Sequence, residues 1–573
     1  MKLLKRFIFF GSLSFIFLII VYLIFFFNYE KFVKIKNILQ NKPIIGTFYN
    51  LSFNTLVYVE NELDFSRVLF KLKEKEPNNL NLNISAADYG NIMSQIEFFK
   101  EKGFIKDEFN YWRKAKLDNN KDRYNIKYKL HGTSISPLKE NFFNLRIKFN
   151  KDENYLNNER QFNLIRLYKN SDENISTIII NNLANNIGLL SPRGETVLLK
   201  INNVNHGLFY KQSRHDKEWF EKQKITNYTL LKNNDDWDKK IWGHTSDLDL
   251  HEHNIELSGS SINPEIALGS LKILFESIKS ENIENILSKI DVDYFAKFMA
   301  LLSIINDPHM ITGDNLKFIY DHTIGTFKVL FRHESEIDYQ ITTNVADFNK
   351  SLFIGNNSET LKLFKILLKN NNFRKQRDIY IKEILDKKLE IIDYANKFYD
   401  ESHKNIMFSN LPLSDQKYLK KIFFQNLNHN FKKTSEYLNY AKIYSSKERK
   451  NDDTIQLSII NDSFMPVRLR SIHFIKPNTV NETIKINYEY EEKYILPAIN
   501  LKKNLIDHNE KKILIFSELE ISKIEFENLI TKKKINNEHI YINEISNYKI
   551  SKNKTLINSF KLNKINFDFK NKN

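Results

Sequence analysis

Two short stretches hold the residues best suited to chemistry. Asn306-Asp307-Pro308-His309 closes an apolar segment, and Asp314-Asn315 stands just before Leu316-Lys317-Phe318-Ile319-Tyr320. A turn at Gly325 separates that run from residues 327–331, after which comes Arg332-His333-Glu334-Ser335-Glu336. A loop acid, an amide oxygen close behind it and a second acid beyond a short hairpin is how phosphotransferases aim a carboxylate at a hydroxyl and hold Mg²⁺ with hard oxygens. A second reading makes Asp307 and Asn315 Asx caps in a turn that ends a helix. A third makes Glu334 and Glu336 the paired acids of a glycan-acting enzyme. That pairing needs carboxyls roughly 5 to 10 Å apart, and the two side chains project alike only from an extended segment.

Phosphate chemistry also needs cations. Residues 141–149 alternate, with Phe143, Leu145, Ile147 and Phe149 on one face and Asn144, Arg146 and Lys148 on the other. A strand there sets Arg146 and Lys148 side by side, toward a phosphate cleft or toward solvent.

The elements that must position these groups mix helix with strand. Helical spacing covers 86–102, and 124–130 alternates. A helix over 172–186 opens with Ser171, Asp172 and Glu173, where a cap and acids suit the positive end, and closes before Gly188 and Pro192. Strands follow at 195–201 and 207–211 around the turn 202–206. Helices at 266–280 and 291–305 lead into a polar turn and the hairpin strands 316–320 and 327–331. Residues 361–398 and 413–444 read as a charged helical region, and short alternating strands follow at 454–460, 483–490, 512–516 and 539–542. Before residue 86, the runs 55–59 and 68–72 look strand-like. His244, His251 and His253 lie beside Asp247, Asp249 and Glu252 in a polar stretch whose spacing fits no compact metal motif, so it reads as a solvated loop.

In their order, these pieces resemble the spore coat protein H (CotH) kinase-like family over roughly residues 86–337. The resemblance is carried by Trp112-Arg113-Lys114-Ala115-Lys116-Leu117, Leu130-His131-Gly132 and Asn144-Leu145-Arg146-Ile147-Lys148-Phe149. It continues through Glu173 with Gly188-Leu189-Leu190-Ser191-Pro192-Arg193, then residues 202–210, and ends at Asp314-Asn315 and the Gly325 hairpin. It implies an α+β, atypical protein-kinase-like (CotH) fold in which Lys148 contacts ATP phosphates and Glu173 is its ion partner. Arg146 and Gln212 would lie at the nucleotide, Asp307 would be the general base, and Asn315 with Glu334 or Glu336 would hold Mg²⁺. His309 would orient the loop or serve structure alone. Two positions depart from the family pattern. The family tends to carry Asp where this chain has residues 332–336, so Glu334 or Glu336 must serve, or His333 has replaced the acid. A glutamate is usual near Lys211-Gln212-Ser213-Arg214, where this chain offers Gln212 and Ser213. Both departures suit an inactive pseudokinase that binds an envelope partner, the alternative to an active kinase.

Composition narrows the rest. The chain has 573 residues, 86 Lys or Arg against 70 Asp or Glu, and no Cys, which removes disulfides, thiolate metal sites and thiol catalysis. The net charge of +16 is dispersed without a concentrated basic run, so a nucleic-acid partner is not expected. Residues 7–27 are uncharged and mostly apolar, long enough to cross a bilayer, and lack a small-residue cleavage site. Lys2, Lys5 and Arg6 favour a cytoplasmic N-terminus with an exported periplasmic or extracellular body. The expected plan is a cytoplasmic tail (1–6), a transmembrane helix (7–27), a stalk with strands (28–85), a kinase-like core (86–345), a helical region (346–450) and a β-rich module (451–573). Its expected activity is phosphate transfer from ATP, with Mg²⁺, to a protein hydroxyl at the cell envelope.

Overall fold

The computed structural model describes residues 28–39, 55–56, 65–77, 79–102, 111–119, 122–131, 143–150, 159–167, 174–233, 255–307, 309–311, 316–333, 359–409, 411–452, 454–463, 465–475, 483–487, 494–495, 511–516 and 520–543. The apolar run 7–27 lies outside them. Among the described residues no helix is long and apolar enough to cross a membrane.

Helices α1 (Tyr29–Leu39) and α2 (Phe65–Lys73) come first. The strand-like run at 68–72 is therefore helical, because five mostly apolar residues satisfy either periodicity and packing decides between them. Arg67 is buried and donates to the carbonyl of Leu411 at 2.5 Å, while Tyr29 in the expected stalk donates to Asp415 at 2.6 Å.

Seven strands then close a barrel whose apolar cluster takes in Ile92 and Ile96 of helix α3 (Ala86–Lys102): β1 (Asn79–Asn83), β2 (Arg113–Asp118), β3 (Arg123–His131), β4 (Asn144–Phe149), β5 (Gln161–Arg166), β6 (Gly194–Ile201) and β7 (Val204–Ser213), in the order β1-β2-β3-β4-β5-β7-β6. A parallel pairing of β1 with β6 seals it. The alternation of β4 is realised, with Leu145, Ile147 and Phe149 buried in the barrel with Tyr128 and Phe162 while Arg146 and Lys148 stand on the outer face.

Between β5 and β6 runs α4 (Ile175–Asn186). It starts later than the sequence suggests, because Asn174 is its cap and forms a capping box with Thr177. The side chain of Asn182 in α4 bonds both backbone groups of Gly194, at 2.9 Å each. A side chain at Gly194 would meet the Tyr210 ring at 2.0 Å, so glycine is what lets β6 approach so closely.

The short helix α5 (Lys217–Lys222), strand β8 (Tyr228–Asn233), strand β9 (Ile255–Gly259) and helices α6 (Pro264–Lys279), α7 (Ile283–Lys289) and α8 (Val292–Ile305) build the second lobe with the hairpin β10 (Phe318–Asp321) and β11 (Thr326–Val329). The four strands form one sheet, β11-β10-β8-β9. Its core is continuous with helices α9 (Glu359–Lys369), α10 (Asn371–Asp386), α11 (Lys388–Phe408) and α12 (Leu413–Asn439). The last of these stops at Asn439 rather than 444, and Ile443 already begins a strand.

Strands β12 (Ile443–Asn451), β13 (Thr454–Asn461), β14 (Val467–Ile475), β15 (Thr483–Asn487), β16 (Tyr494–Ile495), β17 (Lys511–Phe516), β18 (Glu520–Asn528) and β19 (Ile540–Ile542) make two four-stranded sheets sharing one apolar cluster. Strands β13, β15, β17 and β19 fall on the alternating runs, whereas β12, β14, β16 and β18 lie outside them.

Deep in the helical lobe, Arg377 and Asp378 are paired at 2.8 Å with neither side chain more than 1% exposed, and Tyr437 accepts from Arg377 at 2.9 Å. Removing one partner strands the other charge. Arg377→Met should lower the unfolding free energy by about 3 to 5 kcal/mol in urea titrations, and adding Asp378→Leu should recover most of it. A single-variant loss below about 1 kcal/mol would contradict the pairing.

Candidate functional site

The outer face of the barrel carries a polar row that is fixed by register. Arg146 on β4 sits opposite Asn163 on β5, which sits opposite Gln212 on β7. Arg146 donates to Asn163 Oδ1 at 3.3 Å and to His131 Nδ1 at 3.0 Å, which leaves the His131 proton on Nε2. Asn163 Nδ2 donates to Gln212 Oε1 at 3.2 Å. The Gln212 Nε2 is buried with no partner among the described residues. In the next row Lys148 faces Gln161, and Arg214 donates to Gln161 Oε1 at 3.2 Å.

The second lobe brings its own cations to this face. Lys317 precedes β10 and Arg332 follows β11, with Leu330 N–H bonded to Lys317 O at 3.0 Å. Their charges act on His131 and His215 together with Arg214, and on His131 with Arg146 as well. Burial and these neighbours hold the His131 imidazole far below its usual range, and push His215 down to about 3. Burial, then Arg214, pushes Arg146 down to about 9, so it stays charged at neutral pH. Burial, then Arg160, Lys127 and Arg214, draws the Lys148 ammonium down. Lys148 also lies 5.6 Å from the Trp112 ring.

Lys211 makes the contrast. It is buried in the same sheet but bonded to Glu159 at 2.9 Å and Glu195 at 3.1 Å, so its charge is answered within the protein. Arg146 is instead given an amide oxygen and an imidazole, while Arg214 bonds an amide oxygen with Asp216 and Glu256 acting on it. A buried guanidinium such as Arg146, bonded to neutral groups, is an arrangement that an anion completes.

Behind the platform lies a second constellation. Helix α8 starts at the cap Asp291 and ends where Asn306 takes the left-handed conformation, φ 56° and ψ 51°, which asparagine tolerates. That turn delivers Asp307, whose carboxylate bonds His333 Nδ1 at 2.6 Å with both side chains fully buried. The His333 backbone is held by Asn181 of α4, at 2.8 Å through its N–H and 3.2 Å through its carbonyl.

Of the residues singled out by sequence, Arg146, Lys148 and Gln212 share the platform, and Asp307 meets His333. Glu173, Asn315, Glu334 and Glu336 lie outside the described residues, as do the side chain of His309 and the histidines 244, 251 and 253. Glu173 precedes the Asn174 cap rather than opening the helix. Among the described residues no three His, Asp or Glu side chains converge as a metal site. Sequence reasoning assigned no role to His131, Arg214, His215, Lys317 or Arg332. Their only shared sequence signal is a position at the end of a strand, and many polar residues have that.

A closed barrel and a helical lobe whose cations bear on the same two histidines make a mixed helix-and-sheet fold. The family model described as CotH kinase protein matches residues 129–448, more than half of the chain, and the chain belongs to this family. None of the curated proteins matches it.

The two histidines give the cleft a pH signature. Unfolded His215 takes its proton near 6.5, but in the fold it stays neutral down to about 3. The unfolded chain therefore binds more protons in this window, and stability falls as pH drops from 6.5 toward 3. His215→Asn should reduce that fall by about 1 kcal/mol per pH unit in denaturation measured at pH 6.5 and 4.5. An unchanged acid slope would mean that the ring is solvated.

Proposed function

We propose that this protein is a phosphotransferase that binds nucleotide phosphates on the interlobe platform and passes a phosphoryl group to a protein hydroxyl at the cell envelope. One observation carries the reading: Arg146 and Arg214 on the barrel and Lys317 and Arg332 on the second lobe bear on one pair of neutral histidines. Membership of a kinase-like family supports a nucleotide as the anion.

In this scheme Arg146 and Arg214 take the phosphate oxygens, and their fixed guanidinium planes set the orientation. Lys148 adds a point charge at the rim, with Glu173 as its proposed partner, and Gln212 offers its unmatched amide N–H. A bound Mg²⁺ would neutralise charge between phosphoryl oxygens. Asn315, Glu334 and Glu336 are its proposed oxygen ligands, and the buried, unmatched Nε2 of His333 also fits a metal. Asp307 is the proposed general base toward the acceptor hydroxyl. The apolar run 7–27 would anchor the protein in a membrane with the body exported.

A second reading, a pseudokinase that holds nucleotide or an envelope partner without turnover, is favoured by the complete burial of Asp307 and its bond to His333. A general base must reach the hydroxyl it serves.

Calorimetry of the full chain with ATP and ADP separates these readings from no nucleotide role at all. Arg146→Gln should weaken binding about tenfold or more, and affinity should fall with salt as for a charge-assisted site. No binding at millimolar nucleotide would remove the proposal. Binding without slow ATP hydrolysis or phosphate transfer to envelope proteins would favour the pseudokinase.

A further inference from the structure

Helix α2 has two apolar faces, and the fold covers one of them. Arg67 is buried and bonded to the carbonyl of Leu411, and the Phe70 ring packs edge-on against His403 and Phe408 of α11, so these positions turn inward together. The opposite side carries Val68, Leu69 and Leu72, which are 50%, 56% and 79% exposed. A short helix that shows three large apolar side chains on its outer arc is unfinished in water. Lys73 and Lys75 beside it are exposed. The acids next to them are taken up by the body, Glu74 by Lys404 at 3.2 Å and Glu76 by Lys200 at 2.7 Å. The outer side of α2 is therefore both apolar and positive, which complements a lipid surface with anionic headgroups.

The entry to α12 says where this face lies, because it holds both N-terminal helices. Leu411 O takes Arg67 of α2, Asp415 takes the Tyr29 hydroxyl of α1, and Lys421 pairs with Glu30 at 2.5 Å further along. The segment from Leu411 to Asp415 spans at most about 14 Å even when fully extended. Tyr29 comes directly after Asn28, with which the uncharged apolar run 7–27 gives way to polar sequence. The point where the chain enters from that run and the helix with the bare apolar face thus stand at one edge of the molecule. Lys31 and Ile35, one turn apart on α1, are exposed as well. We propose that α2 is a membrane-surface helix, its Val68, Leu69 and Leu72 set into the interface of the bilayer that residues 7–27 cross, with Lys73 and Lys75 at anionic headgroups. This rests on reading that run as the anchor. The anchor keeps α2 beside lipid, so an insertion too weak to hold a free protein on a membrane becomes an intramolecular contact. The body is then held at two points, and because α2 is fastened to α11 and α12, the contact fixes how the second lobe faces the membrane.

The chain has no Cys, so a single cysteine introduced into the full-length protein reports one position. Spin labels attached through Ile19→Cys, Leu72→Cys and Leu389→Cys are compared in protein reconstituted into vesicles of phosphatidylcholine and phosphatidylglycerol. Each label's accessibility to oxygen, which concentrates in lipid, is measured against that to a water-soluble nickel chelate. Leu389 is as exposed as Leu72, at 79%, and lies at the opposite end of the 21-residue helix α11 from Phe408. At 1.5 Å per residue that is roughly 30 Å away. Oxygen should dominate at positions 19 and 72, with the oxygen-to-nickel ratio at 72 severalfold above that at 389. Adding Lys73→Glu and Lys75→Glu should bring the ratio at 72 down toward the value at 389, and a ratio that ignores this reversal overturns the headgroup contact. With position 19 in the bilayer, a label at 72 as open to nickel as the one at 389 overturns the inference and leaves the anchor standing. A label at 72 shielded from both reagents is covered by protein, and that also overturns it. Nickel access at position 19 removes the anchor reading and this inference with it.

Discussion

Helix α8 is buried along almost its whole length, from Tyr294 to Ile305, and the rest of the second lobe's geometry follows from enclosing it. A helix with no polar face must be surrounded. Tyr294 shows how the enclosure is tied: its hydroxyl donates to Val329 O at 2.6 Å and accepts from Leu190 N–H at 2.9 Å, joining the hairpin to the segment between α4 and β6. The Phe331 N–H bonds Leu190 O at 2.8 Å in the same seam. With the helix fixed, its only freedom is where to stop. The left-handed Asn306 sets that point and thereby the place of Asp307.

Two kinds of buried charge in this chain show opposite solutions to desolvation. Arg377 meets Asp378 inside the helical lobe, and Lys211 meets two glutamates in the barrel. Both satisfy their charge internally, which fixes structure and leaves nothing to offer a ligand. On the outer face of the barrel, Arg146 is solvated by an amide and an imidazole. Local charge counting does not distinguish these cases; the identity of the nearest acceptors does.

That distinction also decides what the sequence could reveal. The alternation around Arg146 and Lys148 fixed their shared face, because a strand has only two faces and the apolar residues claimed one. The end of the helix at 305 was equally readable, since apolar spacing stops there and Asn-Asp-Pro follows. The bond from Asp307 to His333 was not readable. It joins residues 26 positions apart, on either side of the hairpin, and depends on how β11 leaves the sheet. Arg214, Lys317 and Arg332 converge through three separate strand ends, and nothing local marks them. Residues 68–72 misled because a short apolar run fits both periods, and Asp172 and Glu173 misled because the better cap, Asn174, came one residue later.

The seam of the barrel bears on how the protein is made. Strand β1 finds its closing neighbour β6 well over a hundred residues later in the chain, with Asn79 opposite Leu198. Tyr29 waits still longer, for Asp415, 386 residues on. At roughly 5 to 20 residues per second, a ribosome needs on the order of 20 to 80 seconds to cover that distance. Throughout that interval Tyr29 lacks its partner, and until β6 is made β1 has β2 beside it but not the strand that seals the barrel. The long reach of these two contacts places the risk of aggregation during translation rather than in the finished fold.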